Sequence, residues 1–204
     1  MERTEGNPAL KNTNTQDGWR DSPSKQLIDG KIIAMFPRPR VEHHFVAFNI
    51  YVIFDRYLRG KRCTPFGDGV DLYLTDKERY IPDGMIVCDP EKIHSDGVHG
   101  APDLVVEVLS PGTARYDKFH KKDIYEQCGV REYWLVSPGD ASIEQYVLKD
   151  GKFIFQDIYT LYHGFELAKL TEEEKKDVIS SFQCAIFEDL EIDLQEVFAR
   201  VVTD

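Results

Sequence analysis

A chain of 204 residues is long enough for one domain whose core can bury a few charged groups if each finds a partner. With 36 acidic against 25 basic residues, its net charge of −11 excludes indiscriminate coating of nucleic acid, which needs a positive surface. No apolar run approaches the ~20 residues of a membrane helix, and the polar start MERTEGNPALKNTNTQDGW lacks a hydrophobic signal core. The expected location is therefore cytoplasmic, with no membrane partner.

Residues 1–22 are rich in Asn, Thr, Asp and Gly without an apolar period, so a loose N-terminal arm is expected there. Residues 23–204 are then one domain. Gln26–Met35 reads as a hairpin about Asp29-Gly30, a two-residue turn signal. Pro37-Arg38-Pro39-Arg40 breaks regular structure. Val41–Leu58 follows as a helix, with Val46, Ile50, Ile53, Phe54 and Tyr57 on one stripe and an end near Gly60. His43 and His44 fall in its first turn, where a capping or packing role outweighs a metal role.

Val70–Leu74 alternates as a half-buried strand, and Tyr80–Cys88 is the next one. Pro82 near its start is tolerated because a first strand residue can lack a ladder partner. Glu91–Gly100 reads as a polar loop. Beyond Pro138, Tyr146–Leu148 and Phe153–Tyr159 form a hairpin, Thr171–Glu174 has capping-box form, Asp177–Phe182 is a strand and Leu194–Val201 a closing helix. The fold class is mixed α/β. The cysteines Cys63, Cys88, Cys128 and Cys184 form no CxxC or CxxH pair, which argues against a zinc knuckle. Three of the four lie in apolar stretches, and buried reduced thiols are expected.

The segment Ala101–Pro138 carries the chemistry. It reads as a buried strand, an amphipathic helix and a second buried strand. In Asp103–Leu109 both faces are apolar at the centre, as in an interior strand covered on both sides. Glu107 sits on it, and a buried carboxylate must be paired, protonated or bound to a cation. The helix runs from a Thr113 cap to Gly129. At about 100° per residue, Asp117, Lys121, Ile124 and Cys128 share a stripe with Tyr125 beside it, while Lys122 points away. Lys121 is thus the inward lysine, with an ion pair to Asp117 as its structural alternative. Phe119 lies off the stripe. Asp83, in Pro-Asp-Gly, reads as a turn residue or, if its strand neighbours Glu107, as a second carboxylate aimed at one point. Two hard oxygen ligands beside a lysine suit Mg²⁺ chemistry on phosphodiesters. Two basic clusters, Arg38, Arg40, Arg56, Arg59, Lys61 and Arg62, then Arg115, Lys118, Lys121 and Lys122, read equally as solvated surface or as a local patch.

The pieces IDGKII, RVEHHFVAFNI, YIPDGMIVCDP, APDLVVEVLSPGT, KKDIYEQCGVREYWLVSP and FEDLEIDLQEVF resemble the Uma-two family of restriction-endonuclease-like proteins, in the PD-(D/E)XK nuclease superfamily. The resemblance runs from about Ser24 to the C-terminus. It implies a restriction-endonuclease-like core, a mixed β-sheet flanked by helices, here with extra β-hairpins. It places the Pro-Asp motif on Pro82-Asp83 and the second acid on Glu107. The superfamily's usual lysine position falls on Leu109, a departure, and the aligned lysine is Lys121 on the following helix. The resemblance also implies metal ligation by the Val108 carbonyl, a helix-start histidine at His43, and Asp103 beside the ligands rather than among them. The expectation is a Mg²⁺-dependent endonuclease acting on DNA as a homo-oligomer, a dimer, with Mn²⁺ as a substitute ion. The alternatives are a catalytically silent nuclease-fold protein serving as an oligomeric or nucleic-acid-binding module, and a metal-dependent hydrolase of small phosphoesters.

Overall fold

The computed structural model of the chain describes residues 25–34 and 40–201. The expected arm of residues 1–22, the hairpin end at Met35, the proline break and Arg38 lie outside the described residues. Strands β1 (Lys25–Ile28) and β2 (Lys31–Ala34) pair about the Asp29-Gly30 turn. Helix α1 spans Val41–Leu58 and buries His43, Val46, Ala47, Ile50, Ile53, Phe54 and Leu58, the face the sequence stripe marks out. Its apolar side packs on one layer of a central sheet.

That sheet has the order β12-β11-β10-β9-β6-β3. Its strands are β3 (Thr64–Gly67), β6 (Gly84–Val87), β9 (Leu104–Val108), β10 (Glu132–Ser137), β11 (Ser142–Lys149) and β12 (Lys152–Thr160). The β9–β10 pair is parallel and the other neighbours are antiparallel. A parallel pair needs a crossover, and residues 114–128 supply it as helix. The crossover contains a π-helical stretch, Tyr116–Lys121, and continues as α2 (Lys122–Cys128). Gly129 ends it at φ 90°, in the left-handed region that favours glycine. Every residue of β6 and β9 is buried. The near-continuous apolar run in β9 is therefore the mark of a strand covered on both faces.

A second sheet, β2-β1-β5-β4-β8-β7, closes the other side. It adds β4 (Leu72–Thr75), β5 (Glu78–Tyr80), β7 (Ile93–His94) and β8 (Gly97–His99). One core joins α1, β6, β9, β10 and the C-terminal segment through Phe54, Ile86, Val106 and Trp134. The other joins β9 and β10 to the second sheet and α2 through Met85, Val105, Tyr80, Tyr125 and Tyr133. Among the described residues no helix is long and apolar enough to cross a membrane.

Four local expectations are corrected. The polar loop Glu91–Gly100 folds as the β7–β8 hairpin. Its backbone docks on β4 through Val98 N–H to Asp71 O and Gly100 N–H to Tyr73 O, both 2.8 Å. Only Val98 of β7 and β8 is buried, so no alternation marked it. Gly97 is required there, because a Cβ would lie 2.4 Å from the Asp71 carbonyl oxygen. The strand expected over Asp177–Phe182 shortens to β13 (Ser181–Gln183), paired with β14 (Glu191–Asp193). The closing helix shortens to Leu194–Val197, capped by the Asp193 carboxylate. Finally, Cys63 and Cys88 form a disulfide, so only Cys128 and Cys184 are free thiols. The reason is register: Thr64 pairs with Val87, and the next residues outward are the two cysteines. The capping box is present, with Glu174 accepting from the Thr171 N–H, and it opens only a short 3-10 turn.

Candidate active site

The antiparallel register of β6 and β9 pairs Gly84 with Val106 and Met85 with Val105. One step further places Asp83 opposite Glu107, and directly opposed residues direct their side chains to one face. Both are buried, at 9% and 3% exposure. Asp83 Oδ2 accepts the Val108 N–H at 2.7 Å, which ties the start of β6 to the end of β9. Its Oδ1 lies 3.3 Å from His43 Nε2, which descends from the first turn of α1.

Glu107 Oε1 accepts from Lys121 Nζ at 2.9 Å and from the Tyr125 hydroxyl at 2.7 Å. Lys121 Nζ also lies 2.9 Å from Asp117 Oδ1. Asp117, Lys121 and Tyr125 are all buried. They are spaced by four, and in a regular α-helix each such step drifts about 40° around the axis. The wider turn of the π-helical stretch offsets that drift, so all three reach the Glu107 side. Lys122 projects away and lies over the Tyr146 ring at 4.2 Å. Phe119 stays 65% exposed.

Two acids, Glu107 and Asp117, thus flank one ammonium, and Asp83 acts on Glu107 from the neighbouring strand. Burial pushes the Glu107 carboxyl up to about 8; the charges of Asp117 and Asp83 add to this, while Lys121 and the Tyr125 hydroxyl work against it. Burial alone would discharge Lys121, but the charges of Glu107 and Asp117 outweigh it and hold the ammonium above its ordinary range. His43 is likewise held protonated to higher pH: burial opposes the charge, and the Asp83 hydrogen bond and charge overcome it.

The sequence reading did not single out Asp68. Gly67 pairs with Gly84 across β3 and β6, so Asp68 lies beside Asp83 in the next register position. Asp68 is exposed, and partial desolvation together with the Asp83 charge pushes its carboxyl up. Asp68, Asp83 and Glu107 therefore form a row across three neighbouring strands. Only the pairing of β3 with β6 could have revealed the first of them. A second hydrogen-bonded set was also missed: Glu78 on β5 faces His120 Nε2 at 3.3 Å and accepts from the Asp29 N–H and the Tyr80 hydroxyl. It anchors the π-helical stretch next to Lys121.

Asp103 is not brought to this place. It lies at the other end of β9, where its carboxylate accepts from the Cys88 N–H at 2.8 Å and pairs with Arg131 at 3.1 Å. The early basic cluster is largely spent in surface ion pairs, Arg40 with Glu42, Arg56 with Glu196, Arg59 with Asp55 and Lys61 with Asp189. In the later one, Lys118 pairs with Glu144.

Two hollows flank the first turn of α1. One, of about 370 Å³, opens at the ends of β9 and β10 and is lined by His43, Ser110, Ser137, the cations Arg40 and Lys118 and the acids Glu42 and Asp140. The other, of about 500 Å³, lies between α1 and β3 and is lined by His44, Phe48, Tyr51, Phe66 and Asp68.

The donor set suits an open Mg²⁺-type site. Such an ion commonly takes one or two carboxylates and completes its shell with water and substrate oxygens. Asp83 and Glu107 are the two carboxylates that could fill that role, and among the described residues no hydrogen bond reaches Glu107 Oε2. A closed site built from side chains alone does not fit: among the described residues no three His, Cys, Asp or Glu side chains converge for one.

Comparison with known proteins agrees with this fold. The family model described as "Putative restriction endonuclease" matches residues 19–174. Two curated relatives come from Synechocystis sp. (strain ATCC 27184 / PCC 6803 / Kazusa). "Uncharacterized protein slr1290" is 29% identical over 133 residues, 64% of this chain and 70% of the relative. "Uncharacterized protein sll1609" is 25% identical over 125 residues, 59% of this chain and 70% of the relative. A crystal structure of "a putative nuclease belonging to DUF820" from Anabaena variabilis ATCC 29413 superposes with a TM-score of 0.66 at 14% identity. That match covers 91% of this chain and 98% of the other, a likeness of fold.

Proposed function

Because the chain belongs to the Uma2 family, we propose that it is a Mg²⁺-dependent endonuclease that hydrolyses phosphodiester bonds in DNA. The observation that carries this reading is the placement of Asp83 and Glu107 opposite one another on neighbouring strands, with Lys121 on Glu107. In this reading Asp83, Glu107 and the Val108 carbonyl hold the ion. A bound Mg²⁺ supplies Lewis-acid polarisation of the phosphate and lowers the pKa of a coordinated water. Lys121 orients the attacking water and offsets charge that develops on the phosphate oxygens. Asp117 keeps Lys121 charged and aimed, since its carboxylate lies within ion-pair reach of the ammonium. His43 fixes the Asp83 carboxylate from one side while the Val108 N–H fixes it from the other. Arg40 and Lys118, at the rim of the smaller hollow, would meet the substrate backbone by exchanging their carboxylate partners Glu42 and Glu144 for phosphates. Cutting both strands of a duplex calls for two such sites, and a homodimer is the assembly we propose.

The test is plasmid cleavage in Mg²⁺ or Mn²⁺ by the wild type and by Glu107→Ala. Cleavage by the wild type and loss in the variant are expected. Equal activity in both would remove Glu107 from the mechanism.

A second reading, a catalytically silent nuclease-fold module, draws on the state of Glu107. Its Oε1 is already engaged by Lys121 and Tyr125, and burial holds the carboxyl near 8. Calorimetry separates the two readings: heat of Mn²⁺ binding that Asp83→Asn removes supports the enzyme, and no metal binding supports the module.

A further inference from the structure

The larger hollow has walls unlike those of the smaller one. Phe48, half exposed on α1, stacks with His44 at a centroid distance of 6.5 Å and an interplanar angle of 21°. Tyr51, one turn further along α1, lies with its ring against Gly67 of β3; a Cβ built on that glycine would lie 3.5 Å from the ring. Phe66 of β3 and Asp68 complete the groove. Among the described residues, Asp68 is the one acid or base at its rim besides His44, and no Lys or Arg lines it. Among the described residues a phosphate would find no Lys or Arg there. A flat, neutral ring with N–H donors would find aromatic faces to stack on and a carboxylate to accept from. The volume of about 500 Å³ leaves room for a single base.

The groove also has a fixed relation to the carboxylate row. Asp68 belongs to both, as a wall of the groove and as the neighbour of Asp83 across the β3–β6 register. On α1 the adjacent residues His43 and His44 face the two hollows separately. A chain lying across the first turn of α1 would put its charged backbone by Arg40 and Lys118 and a neighbouring base in the aromatic groove. A base inside a duplex is stacked on both faces, and only an unpaired one can be received by aromatic side chains.

We propose that the α1–β3 groove is a nucleobase subsite that takes one unpaired base of the substrate strand, stacked against Phe48 and Tyr51 with its N–H edge toward Asp68. The assignment rests on the nuclease reading and narrows it: the preferred substrate carries a single-stranded or flipped nucleotide next to the bond that is cut.

The test uses the full-length protein in EDTA, so that cleavage is off. It is titrated into a single-stranded oligonucleotide containing 2-aminopurine and, separately, into the blunt duplex of the same sequence. The wild type is expected to quench the 2-aminopurine and to bind the single strand more tightly than the duplex. Phe48→Ala, at an exposed position, is expected to weaken single-strand binding about tenfold, the weight of one stacked base. It should also abolish the quench while changing duplex binding less than about twofold. Tyr51→Leu, which keeps apolar bulk without the ring, should repeat the loss. No quench by the wild type, or full affinity in Phe48→Ala, overturns the proposal. So does a Phe48→Ala protein that sediments as a monomer where the wild type is a dimer, with single-strand affinity unchanged, because the face would then be a contact between copies. A parallel cleavage assay in Mg²⁺ keeps the two ideas apart. Cleavage that ignores Phe48→Ala on single strands and duplexes alike leaves the nuclease reading and removes the subsite. A Phe48-dependent quench without cleavage does the reverse.

Discussion

Lys121 Nζ lies 2.9 Å from Glu107 Oε1, and both side chains are only 3% exposed. The contact joins the crossover helix to the central strand beneath it, and Asp117 shares the same ammonium. An ion pair of this kind is costly to break from one side, because the remaining charge stays buried without its partner.

Lys121→Ala should therefore destabilise the fold by about 3–5 kcal/mol, since it leaves the buried Asp117, and Glu107 where it is ionised, without their cation. Adding Asp117→Asn to that variant should restore part of the loss by removing a buried charge that has lost its partner. Urea melts of the wild type, the single variant and the double variant measure both effects. A Lys121→Ala protein as stable as the wild type would show that the pair carries no structural weight.

The Glu107 carboxyl predicts a pH dependence with a definite sign. Its folded value is raised from 4.5 to about 8, so between those limits the folded state binds more protons than the unfolded chain. Stability therefore falls as pH rises through that window. The raised His43 works the same way: its contribution is complete below its ordinary value of 6.5 and is lost as pH rises through the folded value. Thermal melts from pH 4.5 to 8 should slope downward, and Glu107→Gln should flatten the slope. A wild-type profile that rises across the window would refute the assignment.

His43 should act through Asp83. Partners that hold a ligating carboxylate in place typically account for 10–100-fold in metal affinity or activity. His43→Ala should weaken Mn²⁺ binding by about that factor, read by calorimetry at a temperature where the variant is folded. His43→Gln, which can still donate to Asp83 Oδ1, should recover much of the affinity. If His43→Ala binds Mn²⁺ as the wild type does, the histidine only packs.

The Cys63–Cys88 disulfide closes a loop of sequence separation 25. The chain-entropy estimate for a loop of that length is about 3 kcal/mol. Cys63→Ser should lower stability by up to that amount, and a reducing agent should lower the wild type to the same level. Identical melts with and without reductant would show that the bridge adds nothing.

Local pattern fixed much of this molecule. The 3.6-residue stripe of α1 placed the helix at Val41–Leu58 because its buried face recurs within every turn. Apolar residues on both faces of Leu104–Val108 marked an interior strand before any neighbour was known, and made Glu107 conspicuous. Helical phase also separated Lys121 from Lys122. These inferences needed only a period and a segment, which neighbouring residues supply.

What only the tertiary structure decided depends on which strand lies beside which, and in what register. Asp68 joins Asp83 and Glu107 because Gly67 pairs with Gly84 and Gly84 with Val106. The same β3–β6 ladder, read to its other end, brings Cys63 to Cys88. Asp103 shares a strand face with Glu107, yet it turns to the Cys88 N–H and Arg131 at the far end of β9. The β7–β8 hairpin is held by backbone bonds to β4 that leave no trace in hydropathy, and the π-helical stretch that brings Asp117, Lys121 and Tyr125 together is a matter of hydrogen-bond partners. A sequence periodicity gives the face on which a side chain lies. The residue across from it is set by contacts between segments far apart in the chain, and those form only when the whole core closes.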